Sequence, residues 1–182
     1  MAETALGPRF VTAVRQSLGI GAYTLGALTG SQYQVLLGLR SATERAIDRG
    51  LLDEAERLAQ QYLDLAHAFP TDWYHGNGVH HAHRLLGQIA LERGDTEAAA
   101  RELLASGTGP SSPQLASFGP NMSLAKALLE RGERDVVLDY LKACRTMWTM
   151  SGAGPSREHP LDRWERAITA GLEPDFGPNL MY

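Results

Sequence analysis

The sequence has one cysteine, no excess of basic residues and no long apolar run, and each lack removes a class of function. Cys144 alone cannot close an intrachain disulfide. One thiolate also cannot build a multi-cysteine zinc site. Its expected place is the core, as a small apolar residue. The 17 Lys and Arg are outnumbered by 21 Asp and Glu, for a net charge of -4. The basic residues are scattered, so no patch is set up to grip a phosphate backbone, and no nucleic-acid partner is expected. Residues 18–30 (LGIGAYTLGALTG) are short and carry four glycines, which excludes a membrane-spanning helix. They also lack a small-x-small cleavage site, so they are not read as a signal peptide. The expected location is the cytoplasm, away from membranes. No HExxH, GxSxG or phosphate-loop motif occurs, and GIGAYTLG does not follow a strand. No cofactor is therefore expected.

What is present reads as a repeat. With 43% hydrophobic and 21% charged residues, a chain of this length can bury the core of one domain. Three segments share an acidic-Arg-Gly signature: Asp48-Arg49-Gly50, Glu92-Arg93-Gly94 and Glu130-Arg131-Gly132. Aligned on the glycines, small or apolar residues recur at helical spacing on both sides. Five residues after each glycine stand Ala55, Ala99 and Val137; nine after, Ala59, Leu103 and Leu141. Four before stand Ala46, Ala90 and Leu128; eight before, Ala42, Leu86 and Leu124. Such a glycine accepts the left-handed conformation that ends a helix. Acidic residues follow each one (Asp53 and Glu54, Asp95 and Glu97, Glu133 and Asp135), where the dipole of a new helix favours negative charge. A single helix pair cannot bury its apolar face alone, so the pairs must stack.

On these residues the chain resembles the tetratricopeptide repeat (TPR) class. Leu86-Gly87, Ala90, Gly94, Ala99 and Leu103 fall where that family places its Leu-Gly pair, small residue, turn glycine, alanine and large apolar residue. Thr43 and Ala125 depart from the family's glycine. The turn glycines lie 44 and 38 residues apart, longer than the family's roughly 34. The resemblance implies an all-α, right-handed superhelical stack of about three TPR-like helix pairs, over residues 32–70, 73–106 and 121–150. An N-terminal helical extension (1–31) precedes them. A capping helix closed by Gly171 and an apolar tail that packs back on the domain (151–182) follow. The stretch from Trp73 to Gly87, the loop SPQLASFGPNMSLAK and the ending PDFGPNL together look like a group of bacterial TPR-like proteins, a resemblance that supports the fold and brings no activity. The tail also repeats part of the loop, Phe176-Gly177-Pro178-Asn179-Leu180 against Phe118-Gly119-Pro120-Asn121-Met122, which reads as a reused turn and cap.

Candidate site residues cluster in two places. On a helix, Asn77, His81, Arg84 and Gln88 share one face, with His80 on its edge. The resemblance places this first helix of a pair along a concave groove. By register Arg40 matches Arg84, and Glu44 and Lys126 match Gln88, so the groove would hold Arg40, Arg84 and Lys126. Arginines there would suit a carboxylate or another small anionic ligand. The plainer alternative is a solvated helix face. The second place is the long loop from Gly107 to Asn121. Leu115 and Phe118 would anchor it by burial, Gln114 would face a ligand or solvent, and Asn121 would either reach the stripe or cap the next helix.

Two functions follow. The leading one is a binding module that presents a polar groove to a peptide tail, a protein partner or a small anionic molecule, with a homodimer as a further arrangement. The alternative is a small-metabolite enzyme of the cyclase, hydrolase or isomerase type. In it His80 or His81 is a general base, Asn77 or Gln114 orients the substrate, and Arg84 steadies negative charge in a closed pocket. His80 and His83 could share a metal ion, but His81 points elsewhere and no carboxylate stands at short spacing, so no metal is expected. On the groove reading, His81→Ala leaves folding nearly intact.

Overall fold

The computed structural model describes residues 32–149 and 158–181. The expected N-terminal extension (1–31), with its glycine-rich stretch, lies outside the described residues. Among the described residues there are eight α-helices and no strand. Helices α1 (Gln32–Asp48) and α2 (Leu52–Ala68) form a first pair; α3 (His75–Glu92) and α4 (Thr96–Thr108) form a second. A short α5 (Pro113–Phe118) lies in the long loop. Helices α6 (Ser123–Leu129) and α7 (Arg134–Cys144) form a third pair. Helix α8 (Pro160–Thr169) and a 3-10 turn (Gly177–Leu180) end the described chain.

The three glycine turns are equivalent. Gly50, Gly94 and Gly132 have φ of 71, 80 and 89°. Gly50 N–H donates to the Ile47 carbonyl and Leu51 N–H to Ala46. Gly94 and Asp95 bond likewise to Leu91 and Ala90, and Gly132 and Glu133 to Leu129 and Leu128. This is the Schellman ending, in which the left-handed residue lets two amides satisfy the last carbonyls. Gly171 closes α8 the same way, through Ile168 and with Leu172 bonded to Ala167. After the second turn Asp95 caps α4, its carboxylate accepting from the Ala98 N–H at 2.8 Å.

Most of the aligned apolar positions are core, while Ala42, Leu86 and Ala90 are half-buried against it. Ala55, Ala99 and Val137 are fully buried, as are Ala59, Leu103 and Leu141. Each helix packs on its partner in the pair, α2 packs on α3, and α4 on α7; the first helices α1, α3 and α6 also touch in series. Gly87, at the repeat's small-residue position, lets α3 approach the third pair, since a Cβ there would overlap Leu124 and press on Glu102. The core divides into two apolar clusters. One is built from α1, α2 and the nearer face of α3. The other runs from Leu91 through α4 and α6–α8 to Phe176.

The tail packs back as expected. Phe176 is buried against Trp164, with ring centroids 5.0 Å apart, and Trp164 Nε1 donates to the Asp175 carbonyl at 2.7 Å. The two Phe-Gly-Pro-Asn segments clasp each other. The Asn179 side-chain amide donates to the carbonyls of Phe118 and Pro120 at 3.0 Å each. In return, Met122 N–H donates to the Asn179 carbonyl at 2.7 Å. Leu115 anchors the loop by burial, but Phe118 does not, because its ring is 63% exposed. Phe118 is held by its backbone carbonyl instead, a contact that side-chain type does not encode.

Candidate functional site

The first helices and the tail enclose a cleft of about 440 Å³. Helix α1 contributes Arg40 and Glu44, and α3 contributes Arg84 and Gln88. Asn121 and Ser123 come from the entry to α6; Leu91, Leu124, Leu180 and Met181 supply an apolar side. Helical spacing delivers Arg40 with Glu44 and Arg84 with Gln88, each pair four apart on one face. The side-by-side approach of α1 and α3 then turns two local stripes into one wall.

Glu44 joins the two arginines. Its Oε1 accepts from Arg40 Nε at 3.1 Å and from Arg84 Nη2 at 2.9 Å. Arg84 is 6% exposed. Its Nη1 reaches the Ser123 hydroxyl at 3.5 Å, and its Nε is buried with no hydrogen-bond partner. Burial lowers the Arg84 pKa, against the pull of Glu44. Burial acts on Arg40 in the same sense, but there Glu44 prevails and the pKa is raised. Arginine stays protonated through such shifts, so the floor holds two cations around one carboxylate. Behind them lies the Tyr62 phenol, whose pKa burial pushes well above the usual value.

The two histidines serve different ends. The His80 ring is bonded on both sides: Nδ1 to the Ser106 carbonyl at 3.1 Å, and Nε2 to the Asn121 N–H at 3.0 Å. A carbonyl only accepts and an amide only donates, so His80 is the neutral Nδ1–H tautomer. Burial pushes its pKa down to about 4. It ties α3 to the end of α4 and to the entry of α6. His81 is buried beside it, and its Nε2 accepts from Arg40 Nη1 at 3.2 Å. Burial, reinforced by His80 and the two arginines, lowers its pKa well below the ordinary value. In both rings the lone pair is already engaged by a protein donor, so neither is a poised general base. His81 does not line the cleft, because its ring is in the interior and Arg40 leans on it.

The remaining sequence-derived residues divide between this cleft and other work. Arg40, Arg84, Gln88 and Asn121 line the cleft. Asn77 is buried at the start of α3, where its amide donates to Gln114 Oε1 and its carbonyl accepts from the Ser112 hydroxyl. Ser112 in turn caps α5, accepting from the Leu115 N–H at 3.1 Å. Asn77 and Gln114 therefore bolt the loop to α3 and do not line the cleft. Asn121 also turns the chain into α6, with Oδ1 accepting from the Ser123 N–H at 2.9 Å, although Met122 and not Asn121 stands at the N-cap. Lys126 does not join the arginines. It pairs with Glu130 and lies 3.8 Å from Glu173, lining a separate groove with Phe176 and Ile168. His83 pairs with Glu102 at 2.7 Å. Among the described residues no group of three His, Cys, Asp or Glu is placed to hold a metal ion.

The alignment on the glycines put Glu44 at the register of Gln88 but did not make it a site residue, although it organises the arginines. Ser123, Leu180 and Met181 carried no signal, since the tail reaches the cleft only through the clasp at Asn179. No helix among the described residues is long and apolar enough to cross a membrane. Compared with known proteins, the chain matches no family model, no curated protein and no solved structure.

Proposed function

We propose that this chain is a TPR-like binding module whose cleft between the first helices receives a small anionic ligand or the carboxylate end of a peptide tail. The observation that carries the reading is the convergence of Arg40 and Arg84, from helices separated by a whole repeat turn, on one half-buried carboxylate. Buried guanidinium groups are costly unless paired. Two cations around one carboxylate leave one positive charge to be matched by a bound anion. The cleft volume falls within the roughly 300–1,000 Å³ of small-molecule sites. The engaged lone pairs of His80 and His81 count against the enzyme alternative.

The test is isothermal titration calorimetry with small carboxylates, inorganic phosphate and short peptides with a free C-terminus, on the wild type and on Arg40→Gln. Saturable binding weakened about tenfold or more in the variant is expected, the scale of one charge-assisted hydrogen bond. Binding that is indifferent to Arg40, or no binding by any of these probes, would refute the reading.

A further inference from the structure

We propose, resting on that reading, that the preferred ligand is an amphipathic monocarboxylate: one carboxylate on an unbranched or lightly branched apolar body. Charge sets the head group. Arg40 and Arg84 already share Glu44, so a single further negative charge completes the balance. The whole lining gives the same balance, with Arg40, Arg84 and Arg131 against Glu44 and Glu92, so a dianion would overshoot it. Arg84 Nη1 has only a long 3.5 Å contact to the Ser123 hydroxyl and so keeps donor capacity. Ser123 and Gln88 flank the same point and can bond the second carboxylate oxygen.

Shape and polarity set the body. Beyond Arg40 and Arg84 the cleft is lined by Leu91, Leu124, Leu180 and Met181, with Glu92 and Arg131 as well. Met181 is 86% exposed, an arrangement in which a flexible thioether gains contact only when something apolar lies against it. At about 30 Å³ per water-sized group, the cleft has room for about fifteen such groups. Octanoate, with about ten non-hydrogen atoms, fits inside that allowance and leaves space for solvent at the rim. The wall is also set by the tail, since Leu180 directly follows the Asn179 clasp.

Titration calorimetry at neutral pH on the full chain tests this, with octanoate, 1-octanol, suberate, succinate, inorganic phosphate and an acetylated pentapeptide ending in leucine as probes. Octanoate should bind saturably, with octanol and suberate at least about tenfold weaker, since each loses or spoils the single charge contact. Met181→Gln, a neutral change at an exposed position that leaves the core untouched, should weaken octanoate about fivefold or more and leave succinate and phosphate unaffected. Arg84→Gln and Arg40→Gln should each weaken it about tenfold or more; Arg40 is the more exposed, so its variant keeps the test valid if the Arg84 variant fails to fold. Succinate or phosphate binding more tightly than octanoate would overturn the amphipathic assignment and leave the anion site standing. Preference for the peptide, or octanoate binding indifferent to Met181→Gln, would overturn it too. Binding of none of the probes would end both readings.

Discussion

Lowering the pH should destabilise this protein through His80 in particular. The ring is buried as the neutral tautomer, its pKa pushed down to about 4 against an ordinary 6.5. Between those values the unfolded chain takes up a proton on residue 80 that the folded chain refuses. Stability is therefore level above about pH 6.5 and falls as pH drops towards 4. Going from pH 7.5 to 4.5, the loss from this one ring is about 2.5 kcal/mol. At about 2–4 °C per kcal/mol for a chain of this size, that is about 5–10 °C of melting temperature. His81 acts in the same direction, and carboxylates titrate as well, so the wild type alone does not isolate the effect. His80→Gln does. At pH 7.5 the variant should lose about 1–3 kcal/mol, because the Ser106 carbonyl and the Asn121 N–H are no longer both matched. Its further loss on acidification should then be smaller than the wild type's by about 2.5 kcal/mol. Urea unfolding followed by circular dichroism at the two pH values measures both. Equal acid losses in wild type and variant, or an imidazole signal from His80 that titrates near 6.5 by NMR, would refute the reasoning.

Other expectations follow from the same packing. Gly94→Val should cost roughly 1 kcal/mol or more in urea unfolding, because φ of 80° is strained for a β-branched residue; no loss would mean the turn relaxes freely. Asn179→Ala should cost about 1–3 kcal/mol, since it strips the Phe118 and Pro120 carbonyls of a shared donor, and a melting curve identical to wild type would show the clasp to be idle. Cys144 is fully buried with its thiol pushed up to about 12 by burial, so Ellman's reagent should label it only on unfolding; fast labelling of the native chain would contradict its burial.

Much of the architecture was legible in the residues because its causes are local. A glycine with a positive φ ends a helix by itself, and acidic residues favour the next start wherever the chain goes. Those two facts placed three equivalent turns, and most of the aligned residues beside them are core, with Ala42, Leu86 and Ala90 half-buried. The Arg40–Glu44 and Arg84–Gln88 stripes were legible for the same reason, since four-residue spacing fixes one face. What each polar residue does with its partners was less so. Asn77, His80 and His81 share a helix with Arg84, yet one bolts a loop, one joins two helix ends and one backs an arginine. Their roles depend on Gln114, Ser106, Asn121 and Arg40, which lie 26 to 41 residues away in sequence.

The sequence by itself determined the helices of the three pairs and their glycine endings, because these depend on backbone conformation and periodicity within a few residues. Only the tertiary structure decided that Glu44 sits between two arginines, that Lys126 turns to a different groove, and that the tail supplies an apolar wall. Those outcomes rest on distances between elements, and a buried charge or an unmatched carbonyl acquires its partner only when separate helices are brought into contact.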